Sequence, residues 1–408
     1  MRDAPTTLLP ELLHVTSSCT DDDDTPAMRV ARRDVDEVER DGEDDVVVEY
    51  SVDEGVESIG FGWFQIALLI LCGATQLADA TELLVLSLLN NPVQCAFGVS
   101  KGQAAWLASA VFAGMLCGAY VTGHVSDQHG RRVGFGMTTL LVASFGLLSA
   151  GAPTFELLVL ARFFVGMGVG GANAALALFA EYLPNSMRGR GLIFFFFFFS
   201  VGGVLEAGLA YLVMPDWRAL LFITALPSVI LVLMYPFVPE SPRFLVVQGR
   251  IDEAERCLAK AARCNGAKLP VGRLSRTRLE PKRFGAQSIT EITSEVQRLL
   301  KKGVLRQLSL RLWALFFFMA ILYYALVQLT VSLSIPPASK GHECEQVPSE
   351  AYWHVVVMTS GELPGLIAAS ILLDLVGRRW TIALLSLLTA FFSLLLIFDD
   401  SAGNGGGE

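Results

Sequence analysis

An all-α polytopic membrane protein is the fold class this sequence predicts, and three observations predict it. Of 408 residues, 53% are hydrophobic and only 17% charged, with a mean hydropathy of +0.50; soluble domains carry about a quarter charged residues. The polar residues are segregated: 60–238 and 312–398 are largely apolar, while 1–58 and 240–306 hold most of the charge. The apolar blocks are cut by Gly, Pro and charged clusters into pieces of about 20 residues, the length an α-helix needs to cross a bilayer.

The first span is expected at 61–89, opening FGWFQIALLILCG, the second at 104–125 and the third at 133–151, closed by Gly151 and Pro153. Spans four to six fall at 155–180, 191–213 and 217–238, and spans seven to nine at 310–334, 352–375 and 380–398. Trp63, Trp106, Trp217, Trp353 and Trp380 stand near span ends, as interfacial anchors do. The FFFFFF run at 194–199 reads as a lipid-facing or packing surface rather than a cofactor box.

Lys and Arg near the span ends orient the bundle. Arg131 and Arg132 lie in the 2–3 loop, Arg188 and Arg190 in the 4–5 loop, and Arg378 and Arg379 in the 8–9 loop. The 6–7 loop, 240–311, holds 16 of the 31 Lys and Arg. The odd-numbered loops carry one basic residue or none, so the even loops and the N-terminus are expected to be cytoplasmic.

The domain layout follows. Residues 1–58, with DDDD at 21–24 and EDD at 43–45, read as an acidic disordered cytoplasmic tail. An acidic start is the wrong chemistry for a secretory signal, so the first span is expected to serve as an uncleaved anchor. Residues 59–239 form an N-terminal six-helix membrane half, and 240–306 a cytoplasmic linker with surface helices, one at 253–264 and one near 288–302. Residues 307–398 form a partial C-terminal half and 399–408 a disordered tail.

Several chemistries drop out. There is no CxxC and no metal-ligand spacing, and no Ser/His/Asp set, so neither a metal site nor an enzyme is expected. GMGVGG at 166–171 follows no strand and lies inside an apolar run, so it is no nucleotide loop, and no Walker motif is present. No cofactor and no nucleic-acid partner is implied; the expected partners are the lipid bilayer and a small organic solute. The net charge of −9 averages two opposite regions and decides nothing. Cys95 and Cys344 fall in loops where a disulfide is chemically allowed. Free thiols are the preferred reading, because a bond there would tie two moving halves together.

One motif occurs twice. GHVSDQHGRR at 123–132 and ILLDLVGRR at 371–379 share Asp-x-x-Gly-Arg-Arg, and they follow the second and the eighth span. Gly130 and Gly377 permit a tight turn, Arg131, Arg132, Arg378 and Arg379 anchor the helix end, and Asp127 and Asp374 can face the positive N-terminal end of a neighbouring helix. Six spans between copies is the mark of a parallel repeat of two six-helix halves. Arg162 opens R-x-x-x-G-x-G-x-G in span four, Glu181 and Arg188 stand seven apart, and PESPR at 239–243 brings Glu240 and Arg243.

These strings resemble the sugar-porter and organic-ion-transporter side of the major facilitator superfamily. QLADATELLVLS, VLEAGLAYLVMPDWR, NGAKLPVGRL, YYALVQLT and ELPG resemble its synaptic-vesicle-protein-related transporters, over about residues 57–398. The fold so implied is a major facilitator fold with a complete N-terminal six-helix half and about three helices of the C-terminal half. Where that group tends to show Thr-Thr-Glu at the end of span seven, this chain reads Leu329, Thr330, Val331, Ser332. By the pseudo-symmetry implied, Asp374 faces span five and Asp127 a later span beyond this chain, so the turn at 123–132 is expected to be the less firmly held.

Charges inside spans are costly and usually functional. Asp79 and Glu82, three apart in span one, share a helix face, and Glu206 sits in span five. Arg162 is expected to pair with Asp79, and the resemblance implies that such a pair is proton-sensitive. Asp79 would then bind a proton or a cationic group, with Glu82 and Glu206 lining the cavity. The static alternative is a buried pair that only ties helices together. Tyr323 and Tyr324 could stack on a solute or simply pack. Asp127, Gly130, Arg131, Arg132, Glu181, Arg188, Glu240 and Arg243, with Asp374, Gly377, Arg378 and Arg379, are expected to form a gating charge network. The function predicted is a secondary transporter of a small organic solute, an organic cation or other organic ion before a sugar, by alternating access, with a proton as the candidate coupling ion. The competing reading is a non-transporting membrane protein. Plasma membrane and intracellular vesicle or vacuole are left open.

Overall fold

The computed structural model describes residues 49–275, 303–334 and 348–403, with backbone alone at 328–330, 332–334, 374, 378, 394 and 396–403. A short strand β1 (Glu49–Tyr50) and helix α1 (Val52–Ile59) precede the bundle. The first three spans are α2 (Trp63–Phe97), α3 (Lys101–His129) and α4 (Arg131–Ala150). Span four is α5 (Phe155–Gly170) continued, after an irregular step at Gly171, as α6 (Asn173–Glu181). Spans five and six are α7 (Arg188–Val213) and α8 (Trp217–Met234), the latter ending in a 3-10 turn, Tyr235–Phe237.

Several of these helices start before or run past the apolar segments that predict them. Span two is an example. Ser100 Oγ accepts from Gln103 N at 3.3 Å while Gln103 Oε1 accepts from Ser100 N at 2.9 Å, which starts the helix before its apolar run.

Glycines set the bundle's tightest crossing. Gly114 and Gly118 on α3 lie against the carbonyls of Phe163 and Met167, and Gly166 and Gly170 on α5 against those of Val111 and Met115. A Cβ at any of the four would collide with backbone, so α3 and α5 touch main chain to main chain. Gly168, between them, abuts Thr138 and Val142 on α4 instead. The R-x-x-x-G-x-G-x-G string thus seats one helix against two neighbours.

The phenylalanine run divides by helical period. Phe194, Phe196 and Phe197 are exposed, Phe195 is fully buried, and Phe198 fills the space over Gly73. Trp63, Trp106, Trp353 and Trp380 are exposed as expected, but Trp217 is buried, its ring 5.9 Å from that of Phe97.

Past the first half come α9 (Pro242–Val247), α10 (Ile251–Asn265) and β2 (Arg273–Leu274), then α11 (Val304–Ser334), α12 (Ser349–Ser360), α13 (Glu362–Leu375) and α14 (Arg378–Gly403). Among the described residues, eight segments are long and apolar enough to cross a membrane; the ninth, Arg379–Ser393 within α14, is a shorter apolar helix. Span eight is α12 and α13 joined at Gly361, and both pack on α7.

Two expected boundaries move. Residues 49–59, expected within the tail, are built structure. Ser51 and Glu54 form a capping box, and Val52, Val56 and Ile59, spaced i, i+4, i+7, bury against Ala254, Leu258, Ala261 and Ala262 of α10. Tyr50 pairs in parallel with Leu274, which joins the segment before span one to the linker. The acidic average over 1–58 hides this short amphipathic stretch. At the other end, α14 runs on to Gly403 where a tail from 399 was expected, because no breaker precedes the glycine-rich end. The linker helix expected at 253–264 is α10; the one expected near 288–302, and Cys344, lie outside the described residues.

Candidate functional site: a buried carboxylate–arginine cluster

Arg162 and Glu82 are both fully buried, with Arg162 Nη1 2.5 Å from Glu82 Oε2. The expected partner was Asp79, and the structure corrects this. Three residues along an α-helix turn by about 300° and climb about 4.5 Å, so Asp79 and Glu82 share a side but not a position. Arg162, rising from α5, meets the second of them. Arg162 stays charged in any protein, so Glu82 supplies the counter-charge that a buried guanidinium requires. The cluster is under-satisfied even so: Arg162 Nε and Nη2, Glu82 Oε1 and Asp79 Oδ2 have no hydrogen-bond partner.

The room around Glu82 is made by Gly146 on α4. A Cβ there would stand 3.2 Å from Glu82 Oε1 and 3.0 Å from Ala225 Cβ on α8. Next to Ala225 is Thr224, whose Oγ1 lies 3.0 and 3.1 Å from the two carboxyl oxygens of Glu206 and 2.8 Å from Leu220 O. Glu206 is fully buried. A hydroxyl has one proton. If it goes to Glu206, the acid is a carboxylate; if it goes to Leu220, the Glu206 contact needs a proton from a neutral carboxylic acid. The Thr224 rotor therefore accommodates either state without moving a heavy atom.

Asp79 has different surroundings. It lines a small cavity with Thr75 of α2, Thr138 and Thr139 of α4, and Ser228 of α8, against the α5–α6 step. Across from this side, α11 brings an aromatic seam from the second half. Tyr324 stands edge-on to Phe112 at 4.9 Å, and Tyr323 lies 6.1 Å from Phe199. Glu362 on α13 lies beside Ser200 on α7. Glu362 was not among the expected site residues. Its signal in the sequence is that of an acid inside an apolar span, at the start of ELPG.

Several of the charged residues expected in the turn network meet one another locally. Arg131 pairs with Asp127 in its own turn and with Glu181 Oε1 at 3.3 Å, and Ser241 Oγ donates to Glu181. Glu240 sits on the N-terminus of α4, its Oε1 accepting from Arg132 N at 3.2 Å and from Ser241 N at 2.9 Å. Burial pushes the Glu240 carboxyl up from its ordinary value, against the lowering pull of the Ser241, Arg132 and Arg131 amides. Arg132 also donates to Pro236 O at 3.3 Å and lies over the Tyr235 ring. Arg243 pairs with Asp53 on α1, a partner no reading of the motifs supplied. Arg188, expected in the same network, has its Nε buried without a hydrogen-bond partner.

The two motif copies share their turn. Gly130 and Gly377 have φ +107° and +87°, and Gly134 N and Thr381 N donate to the Gly130 and Gly377 carbonyls at 3.2 and 3.1 Å. The two turns differ in what surrounds them among the described residues. The first is held by Glu240, Glu181 and Ser126, while Gly377 and Arg379 are exposed. Asp127 turns outward to Arg131 rather than toward another half. The side chains of Asp374 and Arg378 lie outside the described residues.

With this geometry in view, the family follows. The pattern of the family described as "Sugar (and other) transporter" matches residues 74–336. The chain belongs to that family, and so to the major facilitator superfamily, whose members are transporters and not enzymes. An Arabidopsis thaliana protein named "Organic cation/carnitine transporter 7" is 34% identical, over 86% of this chain and 76% of its own length. A Bos taurus "Synaptic vesicle 2-related protein" is 34% identical over 85% of this chain; the chain spans 64% of that relative's length. A structure of the E. coli xylose transporter XylE has the same fold, with a TM-score of 0.52 at 18% identity, covering 78% of this chain and 74% of the other.

Proposed function

We propose that the chain carries the membrane bundle of a secondary transporter for a small organic cation, driven by protons through alternating access. One observation carries this reading: acids outnumber bases inside the bundle. Asp79, Glu82 and Glu206 are buried there with Arg162 as their one buried basic companion among the described residues. Burying an uncompensated carboxylate is expensive. Beyond the carboxylate that Arg162 neutralises, each further acid is stable only with a proton or a bound cation. Those two ligands therefore compete for, or share, the same charge. The aromatic seam of Tyr323 and Tyr324 suits a cation too, through the ring faces. The name of the Arabidopsis relative supports the substrate class, and that of the bovine relative supports an intracellular vesicle as the membrane.

In this mechanism Glu82 and Arg162 are the switch. Protonation of Glu82 leaves Arg162 unpaired and free to seek another acid, Glu206 being adjacent through Ala225 and Thr224. The turn network of Asp127, Arg131, Glu181 and Glu240 holds spans two, three and four to the linker. Its contacts stay within the first half and its linker, so it moves as one piece with that half.

The test is uptake into vesicles holding the purified chain, with a panel of organic cations and an imposed pH gradient. Glu82→Gln is expected to abolish gradient-driven uptake while leaving exchange of solute for solute. Uptake by Glu82→Gln with unchanged pH dependence would refute proton coupling through this pair.

A further inference from the structure

We propose that the cavity at Asp79 is a binding site for one small monovalent cation, sodium in the first place, separate from any organic-solute site. The cavity lies inside the first half, between α2, α4, α8 and the break in span four. It has room for about one water molecule, which excludes an organic solute and admits a bare alkali ion.

Three of its hydroxyls are acceptors only. Thr75 Oγ1 donates to Cys72 O at 2.7 Å, Thr138 Oγ1 to Phe135 O at 2.8 Å, and Thr139 Oγ1 to Phe135 O at 3.0 Å. Each of these three hydroxyls has spent its single proton on its own helix, so only lone pairs are left for the cavity. None of them can then donate to Asp79. Asp79 is buried, and its Oδ2 has no hydrogen-bond partner. Ser228, also buried, adds a further hydroxyl. A carboxylate oxygen beside three hydroxyls that offer only lone pairs is the oxygen-rich setting that a hard cation requires.

The charge count selects the valence. One carboxylate faces the cavity, and the neighbouring Glu82 already neutralises Arg162. A monovalent ion leaves the site neutral, whereas a divalent ion leaves a buried positive charge. The break in span four adds to the case. At Gly171 and Ala172 the helical ladder gives way to i→i+3 bonds, Gly171 N to Gly168 O at 2.9 Å and Ala172 N to Val169 O at 3.1 Å. Gly168 and Ala172 line the cavity. Broken membrane helices beside a carboxylate are where transported or coupling cations bind.

The experiment reads binding rather than transport, so it stands whether or not the proposed substrate class holds. The full chain in detergent at pH 8 is heated in sodium chloride, potassium chloride or choline chloride at constant ionic strength. Sodium is expected to raise the unfolding temperature saturably, by about 3–5 °C at a hundred-fold excess over its dissociation constant, and choline not at all. Asp79→Asn is expected to lose the shift while unfolding cooperatively in choline. Should Asp79→Asn fail to fold, Thr138→Val, which keeps the shape and removes the oxygen, carries the test: its half-saturating sodium concentration should rise at least ten-fold. Identical curves in sodium and choline, or variants that saturate as the wild type does, would overturn the proposal. An equal response to potassium would overturn the assignment to sodium.

Discussion

Replacing Glu82 with Gln keeps the volume of the side chain and removes its charge, so the effect on stability reports the Arg162 pair almost alone. At 2.5 Å the gross attraction is about 7 kcal/mol for an effective dielectric constant of about 20. Much of this offsets the desolvation of two fully buried ions. The loss on breaking such a pair by removing one partner is about 3–5 kcal/mol, because the other charge stays buried. Arg162 Nε and Nη2 already lack hydrogen-bond partners, and Glu206 is held by Thr224, so the guanidinium gains no replacement contact without moving. Glu82→Gln should therefore lose about 3–5 kcal/mol, and Arg162→Met a similar amount. The double variant Glu82→Gln/Arg162→Met removes both charges and should return to within about 2 kcal/mol of the parent. Reversible unfolding of the four proteins in one detergent gives the cycle. Additive losses, or a Glu82→Gln loss below about 1 kcal/mol, would refute the buried-pair argument.

The remaining predictions concern glycines and one titration. Gly130→Ala should cost more than Gly377→Ala by about 1–2 kcal/mol in unfolding experiments: both have positive φ, but only at Gly130 does the new Cβ meet the Glu240 carboxyl. Gly166→Val should separate α3 from α5 and abolish recovery of folded protein in size-exclusion chromatography, while Gly203→Val, with open space at its Cβ, should be recovered normally. The Glu240 carboxyl is raised in the folded state, so the folded protein holds its proton more tightly than the unfolded chain. Stability should then fall as pH rises from the ordinary carboxylate range to the raised value, and level off above it. Glu240→Gln should flatten that part of a stability–pH curve.

The bundle was legible because membrane crossing imposes length and composition on each segment independently. The span breaks at Gly171 and Gly361 were not, since a single glycine inside an apolar run costs a helix little and its position alone does not reveal a break. The segment 49–59 was hidden for a different reason. Val52, Val56 and Ile59 make a sound apolar stripe, but they need α10 to bury it, and α10 follows about 200 residues later, as the Phe64 N to Asn265 Oδ1 bond across 201 positions shows.

The site shows where residue-level reading stops. That Asp79, Glu82, Arg162 and Glu206 are special follows from the cost of charge inside a bilayer, which depends on residue type alone. Which acid meets the arginine depends on the azimuth of one helix against another. Asp79 and Glu82 differ by about 60° around α2, and no spacing rule resolves a difference that small. That rotation is set by packing: Gly166 and Gly170 press α5 onto α3, and Gly146 opens the slot that Glu82 enters. The consequence is functional. The same 60° sends Asp79 away from the guanidinium and into a cavity lined by Thr75, Thr138 and Thr139, so two acids one turn apart have different surroundings. Adding a Cβ at Gly146, by Gly146→Ala, presses on Glu82 and leaves the Asp79 cavity untouched. If the two acids have separate roles, it should disturb proton-driven uptake and leave the sodium shift in unfolding temperature unchanged; loss of both together would mean that the acids act as one site.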